Sequence, residues 1–366
     1  MKICCVFNYN PLYRLPIYSA MDKEFDCDFF FGDTVFQPLK AFDPNQLKGF
    51  KGYIKAKKIR SYYWHSGISK IFNSKYTHYI VSGGGSMLVT WLIVFYAKIT
   101  GAKVFLWSHG IKHDNPTFRE KLRAKLYYNR AAGLLMYNSY FCKNMIKIGC
   151  KKEKLHVIHN SLDTALQTSI YSGLSHSNIY KEYFKNENPT ILYIGRIQRV
   201  KKTEQILEAM HILKSQGIDL NLVVIGSNVD DDIFESKMKE FALEENVWMY
   251  GPCFDEEKNA ELIYNARVCV SPGNVGLTCI HVLSYGTPVV TSNNFSMQMP
   301  EFEAIVDGKT GSFFKENDIE DLTKHIQYWV SLSNEQRQEC RSIARKTIEE
   351  EWSVDYQINL LKNIFV

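Results

Sequence analysis

Short apolar runs separated by helix-length segments recur along this chain, and that rhythm limits its fold more than any other feature. Runs at residues 2–7, 79–81, 103–107, 133–137 and 155–158 fill the first half, and runs at 190–194, 220–225, 247–250, 268–271 and 289–291 fill the second. Strands joined through intervening helices pair in parallel, because a hairpin-length connection has no room for a helix. Helices are expected at residues 203–216, 232–244, 255–265 and 277–285, the third capped by Asp255 ahead of Glu256 and Glu257. An α/β protein with parallel sheets follows. At 366 residues it exceeds the usual size of one core, so two domains are expected. Residues 164–188, rich in Ser, Asn, Tyr and Lys and without period, are read as a linker between domains 1–163 and 189–348. Residues 349–366 return to helical spacing, with Trp352, Leu360, Leu361 and Ile364 on one side.

Charge is distributed unevenly. The net charge is +5, but residues 1–170 hold 25 Lys/Arg against 10 Asp/Glu, and the remainder 19 against 29. A basic half joined to an acidic half suggests different partners for each. The longest apolar stretch, residues 87–97, ends at Lys98 and falls short of the ~18–20 residues of a membrane span. Met1 to Phe7 reads as a first strand rather than a cationic leader. Nine cysteines without a CxxC pair fit reduced thiols in a cytoplasmic protein. One basic stretch holds Lys48, Lys51, Lys55, Lys57, Lys58 and Arg60, followed by Tyr62, Tyr63 and Trp64. The other sets Arg119, Lys121, Arg123 and Lys125 around Leu122 and Leu126. Both read either as solvated surface or as a face for the anionic inner side of a membrane. No nucleic-acid motif accompanies the charge, so nucleic acid is not an expected partner.

Two blocks point to chemistry. Ile191-Leu-Tyr-Ile-Gly195-Arg196 is followed by Lys201 and Lys202. Ser271-Pro-Gly273-Asn274-Val275-Gly276-Leu277-Thr278-Cys-Ile-His281 runs on to Gly286-Thr-Pro288. Each is an apolar strand, then small residues, then a helical pattern, which turns backbone N–H groups and a helix N-terminus toward an anion. Arg196 and Lys201 add fixed positive charge suited to a diphosphate. His109 follows another strand, where doubly wound sheets place ligands. Gly83-Gly84-Gly85-Ser86 could cradle a phosphate, admit an acceptor or simply form a tight turn. Arg14, Gly84 and Gly85 are the acceptor-side candidates. No metal is expected. His109 and His113 lack a third ligand, Asp26 and Asp28 lie on a strand-like run, and Asp230 to Asp232 read as a helix cap.

With Val157-Ile-His-Asn-Ser-Leu-Asp163, Val224-Ile-Gly226, Pro300-Glu301, Asp307-Gly308 and Trp107-Ser-His109-Gly110 in order, the chain resembles the GT-B glycosyltransferases of the retaining group called family 4. The similarity is best over roughly residues 130–325. It implies two Rossmann-like domains facing across a cleft, donor held mostly by the second, and a last helix crossing back to the first. It also implies that Arg196 and Lys201 neutralise the donor diphosphate while Gly195 and the amides of Val275, Gly276, Leu277 and Thr278 bind it. The family has two glutamates where this chain has Gly273 and His281. Asn274 and His281 are then expected to take over the hydrogen bonds to sugar and ribose.

The expected function is sugar transfer from a nucleotide-diphosphate sugar, UDP-linked by preference, to a lipid-linked or polymeric glycan, with retention and without metal or other cofactor. His109 would contact the transferred sugar, or act as base in an inverting version. An epimerase of the same shape and a catalytically degenerate binding protein are the alternatives.

Overall fold

A computed structural model describes residues 1–33, 40–113, 115–229 and 232–365. It divides into two compact units, residues 1–162 with 354–366, and residues 163–353.

The first unit is built on eight strands: β1 (Lys2–Phe7), β2 (Asp26–Gly32), β3 (Phe50–Ile59), β4 (Tyr62–Ser66), β5 (His78–Ser82), β6 (Lys103–Ser108), β7 (Gly133–Met136) and β8 (Leu155–Val157). Their order is β4-β3-β2-β1-β5-β6-β7-β8, parallel throughout except for the β3–β4 hairpin. In β1 the period of two is visible: Cys4 and Val6 enter one core cluster, Ile3, Cys5 and Phe7 the other. A sheet covered on both faces needs such continuous apolar strands. All nine cysteines are free thiols.

The first basic stretch lies on a hairpin. The lysine-rich stretch lies on β3, which pairs in parallel with β2 through Phe50–Ile54 and antiparallel with the edge strand β4 through Lys55–Ile59, and Arg60 takes a left-handed turn conformation at φ 54°.

The second unit holds β9 (Thr190–Ile194), β10 (Asn221–Ile225), β11 (Val247–Met249), β12 (Cys269–Ser271), β13 (Val289–Ser292) and β14 (Gly311–Phe314). Their order, β11-β10-β9-β12-β13-β14, is all parallel. This is the doubly wound order of the dinucleotide-binding fold. The strand sequence reverses between β9 and β12, and ligands sit beyond the strand ends at such a point. In the first unit the reversal lies between β1 and β5.

Residues 164–188, read as linker, instead carry the helices Thr164–Gly173 and Ile179–Phe184 within the second unit. Each buries a single residue, Gln167 and Tyr180 respectively, so neither has an apolar stripe that periodicity could reveal. The helix Val354–Phe365 belongs to the first unit, where Ile358, Leu361 and Phe365 join the core. Its Gln357 accepts from Ser161 Oγ at 2.6 Å and donates to the His159 carbonyl at 2.9 Å. Among the described residues no helix is long and apolar enough to cross a membrane.

Candidate functional site

In the second unit the ends of β9 and β12 are stitched together. Gly195 has φ 145° and Gly226 φ 155°, and a Cβ on Gly226 would stand 1.9 Å from the Gly195 carbonyl oxygen. Only glycine permits that approach. The Thr278 hydroxyl donates to the Ile194 carbonyl at 3.2 Å, tying the helix Leu277–Ser284 to the end of β9. Lys201 Nζ donates to the Asn274 carbonyl at 2.7 Å and to its Oδ1 at 2.5 Å. The structure thus brings Gly195, Lys201, Asn274, Gly276 and Thr278 to one place. The Arg196 guanidinium has no hydrogen-bond or ion-pair partner among the described residues, and the Tyr193 hydroxyl donates to its carbonyl at 2.8 Å.

The amides of Gly276, Leu277 and Thr278 likewise have no acceptor among the described residues, as expected at the first turn of a helix. Val275 differs. Its N–H donates to Oε1 of the fully buried Gln298 at 2.8 Å, so this amide is not open to a ligand. Gln298 Nε2 reaches the Gly273 carbonyl at 3.1 Å and the Ser292 carbonyl at 2.9 Å. Sequence reasoning missed this residue because its partners are spread over the chain.

The two positions that lack glutamate have separate explanations. A Cβ on Gly273 would come within 2.3 Å of the Val200 carbonyl oxygen and 2.7 Å of Lys201 Cα, and the Gly273 N–H donates to the Lys201 carbonyl at 2.9 Å. No side chain fits there. Asn274 Oδ1 already accepts from Lys201, leaving one lone pair and the Nδ2 donor for a sugar. His281 Nε2 lies 2.9 Å from Glu256 Oε1, so the ring is not free to serve a ribose through that nitrogen. Tyr285 donates to the same oxygen at 2.7 Å and Gln167 at 3.2 Å. Burial pushes the Glu256 carboxyl up, but bonds from His281, Tyr285 and Gln167 outweigh it and hold the group below the ordinary glutamate range. A carboxylate therefore stands beside position 281 after all, supplied by the helix Glu256–Asn265.

In the first unit a cavity of about 440 Å³ opens where β1, β5 and β6 end. Arg14, Gly84 and His109 line it with Trp107 and Tyr137. Gly85 does not line it; its φ of 74° serves the turn, and its carbonyl accepts from Trp91 Nε1 at 3.0 Å. Arg14 is buried, its guanidinium carbon 4.7 Å from the Trp107 ring centre and 5.0 Å from that of Tyr137, whose hydroxyl accepts from it. The His109 ring centre is 4.4 Å from that of Tyr137. Surrounding protein, then Lys112 and Arg14, hold the imidazole well below its ordinary value, although its edge meets solvent through the open cavity. Crowding and two nearby cations act in the same direction, so this histidine is neutral at pH 7.

The first Asp-x-Asp pattern is held by lysines. Asp28 is buried beside Lys2 at 2.9 Å, Lys75 at 3.0 Å and Lys51 at 3.5 Å; burial pushes its carboxyl up, but bonds from Lys2, the Tyr76 hydroxyl and Lys75 outweigh that and hold it down at about 2. Three cations there leave no place for a fourth. Asp230 and Asp231 lie outside the described residues.

Residues 175–347 match the family described as Glycosyl transferases group 1. A capsular polysaccharide biosynthesis glycosyltransferase, CapM, of Staphylococcus aureus is 24% identical over 209 residues, 56% of this chain and 53% of the relative. The chain spans about half the length of the curated relatives it matches. Among solved structures, Anabaena HepE in complex with UDP and glucose superposes with a TM-score of 0.70 at 13% identity, over 100% of this chain and 99% of that one. The lipopolysaccharide outer core galactosyltransferase WaaB gives 0.71 at 16% identity, over 100% and 99%. The second unit thus carries a match to the group 1 glycosyl transferases, in a chain with the two-sheet GT-B fold.

Proposed function

We propose that the protein is a glycosyltransferase that moves a sugar from a nucleotide-diphosphate donor to a hydroxyl of a lipid-linked or polymeric glycan. The observation that carries this is Lys201 held on the Asn274 backbone beside the open amides of Gly276, Leu277 and Thr278. A cation and three N–H donors at a strand-reversal point suit a diphosphate. UDP is favoured as the carrier because a structural neighbour of the same fold holds UDP with glucose. The glycan acceptor is favoured by the likeness to a capsular polysaccharide enzyme.

Cleaving the glycosidic C–O bond builds positive charge on the sugar and negative charge on the departing β-phosphate. Lys201, Arg196 and the three amides meet that negative charge where it develops. In a retaining reaction the leaving phosphate takes the acceptor proton on the same face, and neither a metal nor a separate base is needed. Neutral His109 is assigned to the transferred sugar, and Glu256 with His281 to the ribose side in place of the family's second glutamate. Arg14 and Gly84 are assigned to the acceptor. The protein would work in the cytoplasm, touching the inner membrane face through its first unit.

A thermal-shift panel of UDP, GDP, dTDP and CMP tests the core of this reading, since a ligand of the native state raises the melting temperature. UDP should raise it most, and UDP-sugars should then release UDP when acceptor is added, with EDTA leaving the rate unchanged. Interconversion of sugars without acceptor would instead identify an epimerase. Binding with no release in any mixture would identify a degenerate protein.

A further inference from the structure

At the opposite edge of the second sheet, where β9 and β12 begin, the chain gathers positive charge. Arg267 precedes β12, and its N–H donates to the carbonyl of Thr190, the first residue of β9, at 2.8 Å. Arg337 and Arg341 project one turn apart from the helix Asn334–Glu351. Three adjoining hollows meet at Arg337. The largest, about 430 Å³, is lined by His176, Asn334, Arg337, Gln338 and Arg341. A second, about 210 Å³, shares His176 and Arg337 and adds Arg267 and Thr190. The third, small, lies between Arg267, Arg337 and Arg341.

Among the described residues no carboxylate neutralises this charge. None of the three arginines has a carboxylate within ion-pair distance among the described residues, and Glu187, the one acid lining the second hollow, is paired with Lys181. Burial, then repulsion from Arg267 and Arg341, drags the Arg337 guanidinium down to about 10. Arg341 is partly structural: it donates to the Tyr285 carbonyl at 3.0 Å and lies 3.8 Å from the Tyr264 ring centre. Arg337 has only a long bond of 3.4 Å to the Ala266 carbonyl, and Arg267 has no side-chain hydrogen bond among the described residues. The Thr190 hydroxyl, 96% buried, lines the same hollow without a partner. Like charges gathered away from water destabilise a fold unless a ligand of opposite sign joins them.

We propose that Arg267, Arg337 and Arg341, with His176 and the Thr190 hydroxyl, form a second anion site that takes a phosphate group. Guanidinium forks match phosphate oxygens in pairs, and the hydroxyl supplies a further donor. The site lies at the strand-start edge of the sheet, whereas the proposed donor turn follows the strand ends, so the two are separate and independent.

The test uses the full chain with inorganic phosphate and pyrophosphate, against chloride at equal ionic strength, read by thermal shift and calorimetry. Phosphate should stabilise the protein saturably. Arg337→Gln and, separately, Arg267→Gln should each weaken phosphate binding by about tenfold or more, the loss of a charge-assisted bond. Their melting temperatures without phosphate should hold or rise, because a repulsive charge has gone, and their response to UDP should be unchanged. Lys201→Ala should leave the phosphate response intact. Vesicles containing phosphatidate identify the source: arginine-dependent vesicle binding that phosphate competes away assigns a lipid headgroup, and its absence beside a phosphate response assigns a soluble phosphate ester. Equal stabilisation by phosphate and chloride, or an undiminished phosphate response in both arginine variants, would overturn the site.

Discussion

At position 273 a Cβ atom would stand 2.3 Å from the Val200 carbonyl oxygen, so Gly273→Ala must move the backbone that carries Lys201. Overpacking of this kind costs about 1–3 kcal/mol, and the melting temperature should fall accordingly. Gly273→Glu should fail to restore the family pattern for the same reason. Lys201→Ala removes charge rather than space. Its melting temperature should stay close to that of the parent while kcat falls about a hundredfold or more, the scale for losing one donor at a developing anion. The carboxylate of Glu256 provides a pH test. Its folded value lies below the ordinary one, so its bonds to His281 and Tyr285 stabilise the protein above the ordinary glutamate value and lose that effect as pH falls through the folded one. Glu256→Gln should lower the melting temperature at pH 7 and match the parent in strong acid; an equal deficit at both pH values would remove the carboxylate's role. Gly195, Lys201, Asn274 and Thr278 were legible because small residues and a cation follow strand ends in sequence. Glu256 was not, since it meets His281 only when two helices 21 residues apart at their starts pack together.

Elements with an apolar period were legible, and elements held by other means were not. β1, β9 and β10 are continuous apolar runs buried on both faces, which is why their positions could be read directly. The β3–β4 hairpin looked like charge, because β3 exposes most of its residues and several of them are lysine. The helix Thr164–Gly173 looked like linker, because its anchors are polar: Asp163 caps it through the Leu166 N–H, and Gln167 reaches Glu256. The helix Val354–Phe365 gives this scale its prediction. Leu361 is fully buried in the first unit's core, between the turns that carry Ile358 and Phe365. Leu361→Ala should cost about 2–5 kcal/mol in urea unfolding, the range for a buried leucine. Lys362→Ala, one residue on and paired with Glu24 at the surface, should leave the urea midpoint close to that of the parent. Equal costs would mean that the helix is held by charge rather than by packing.

On the scale of the molecule, the basic excess of residues 1–170 gains meaning from where exposed apolar groups sit. On the helix Leu88–Thr100, Leu92, Phe95 and Ile99 are exposed, Ile99 to 85%. On Phe118–Leu126, Phe118 is 80% exposed, with Leu122 also outward and Arg119, Lys121, Arg123 and Lys125 around it. The Arg130 guanidinium lies 5.4 Å from the Phe95 ring centre. Two helices of one unit that each present apolar side chains, one of them flanked by cations, suit a surface that is apolar within and anionic at its face. Among the described residues no helix is long and apolar enough to cross a bilayer. The protein should sediment with vesicles rich in anionic lipid and not with neutral ones. Binding should fall as salt rises through the range where the Debye length drops below about 8 Å. Phe118→Ser with Ile99→Ser should weaken it without altering the melting temperature, since neither side chain touches the core. Charge reversal at Lys121 and Lys125 should steepen the loss at low salt only. Binding that ignores both salt and Phe118→Ser would leave the basic half as ordinary solvated surface, and the acceptor would then be a soluble glycan rather than a lipid-linked one.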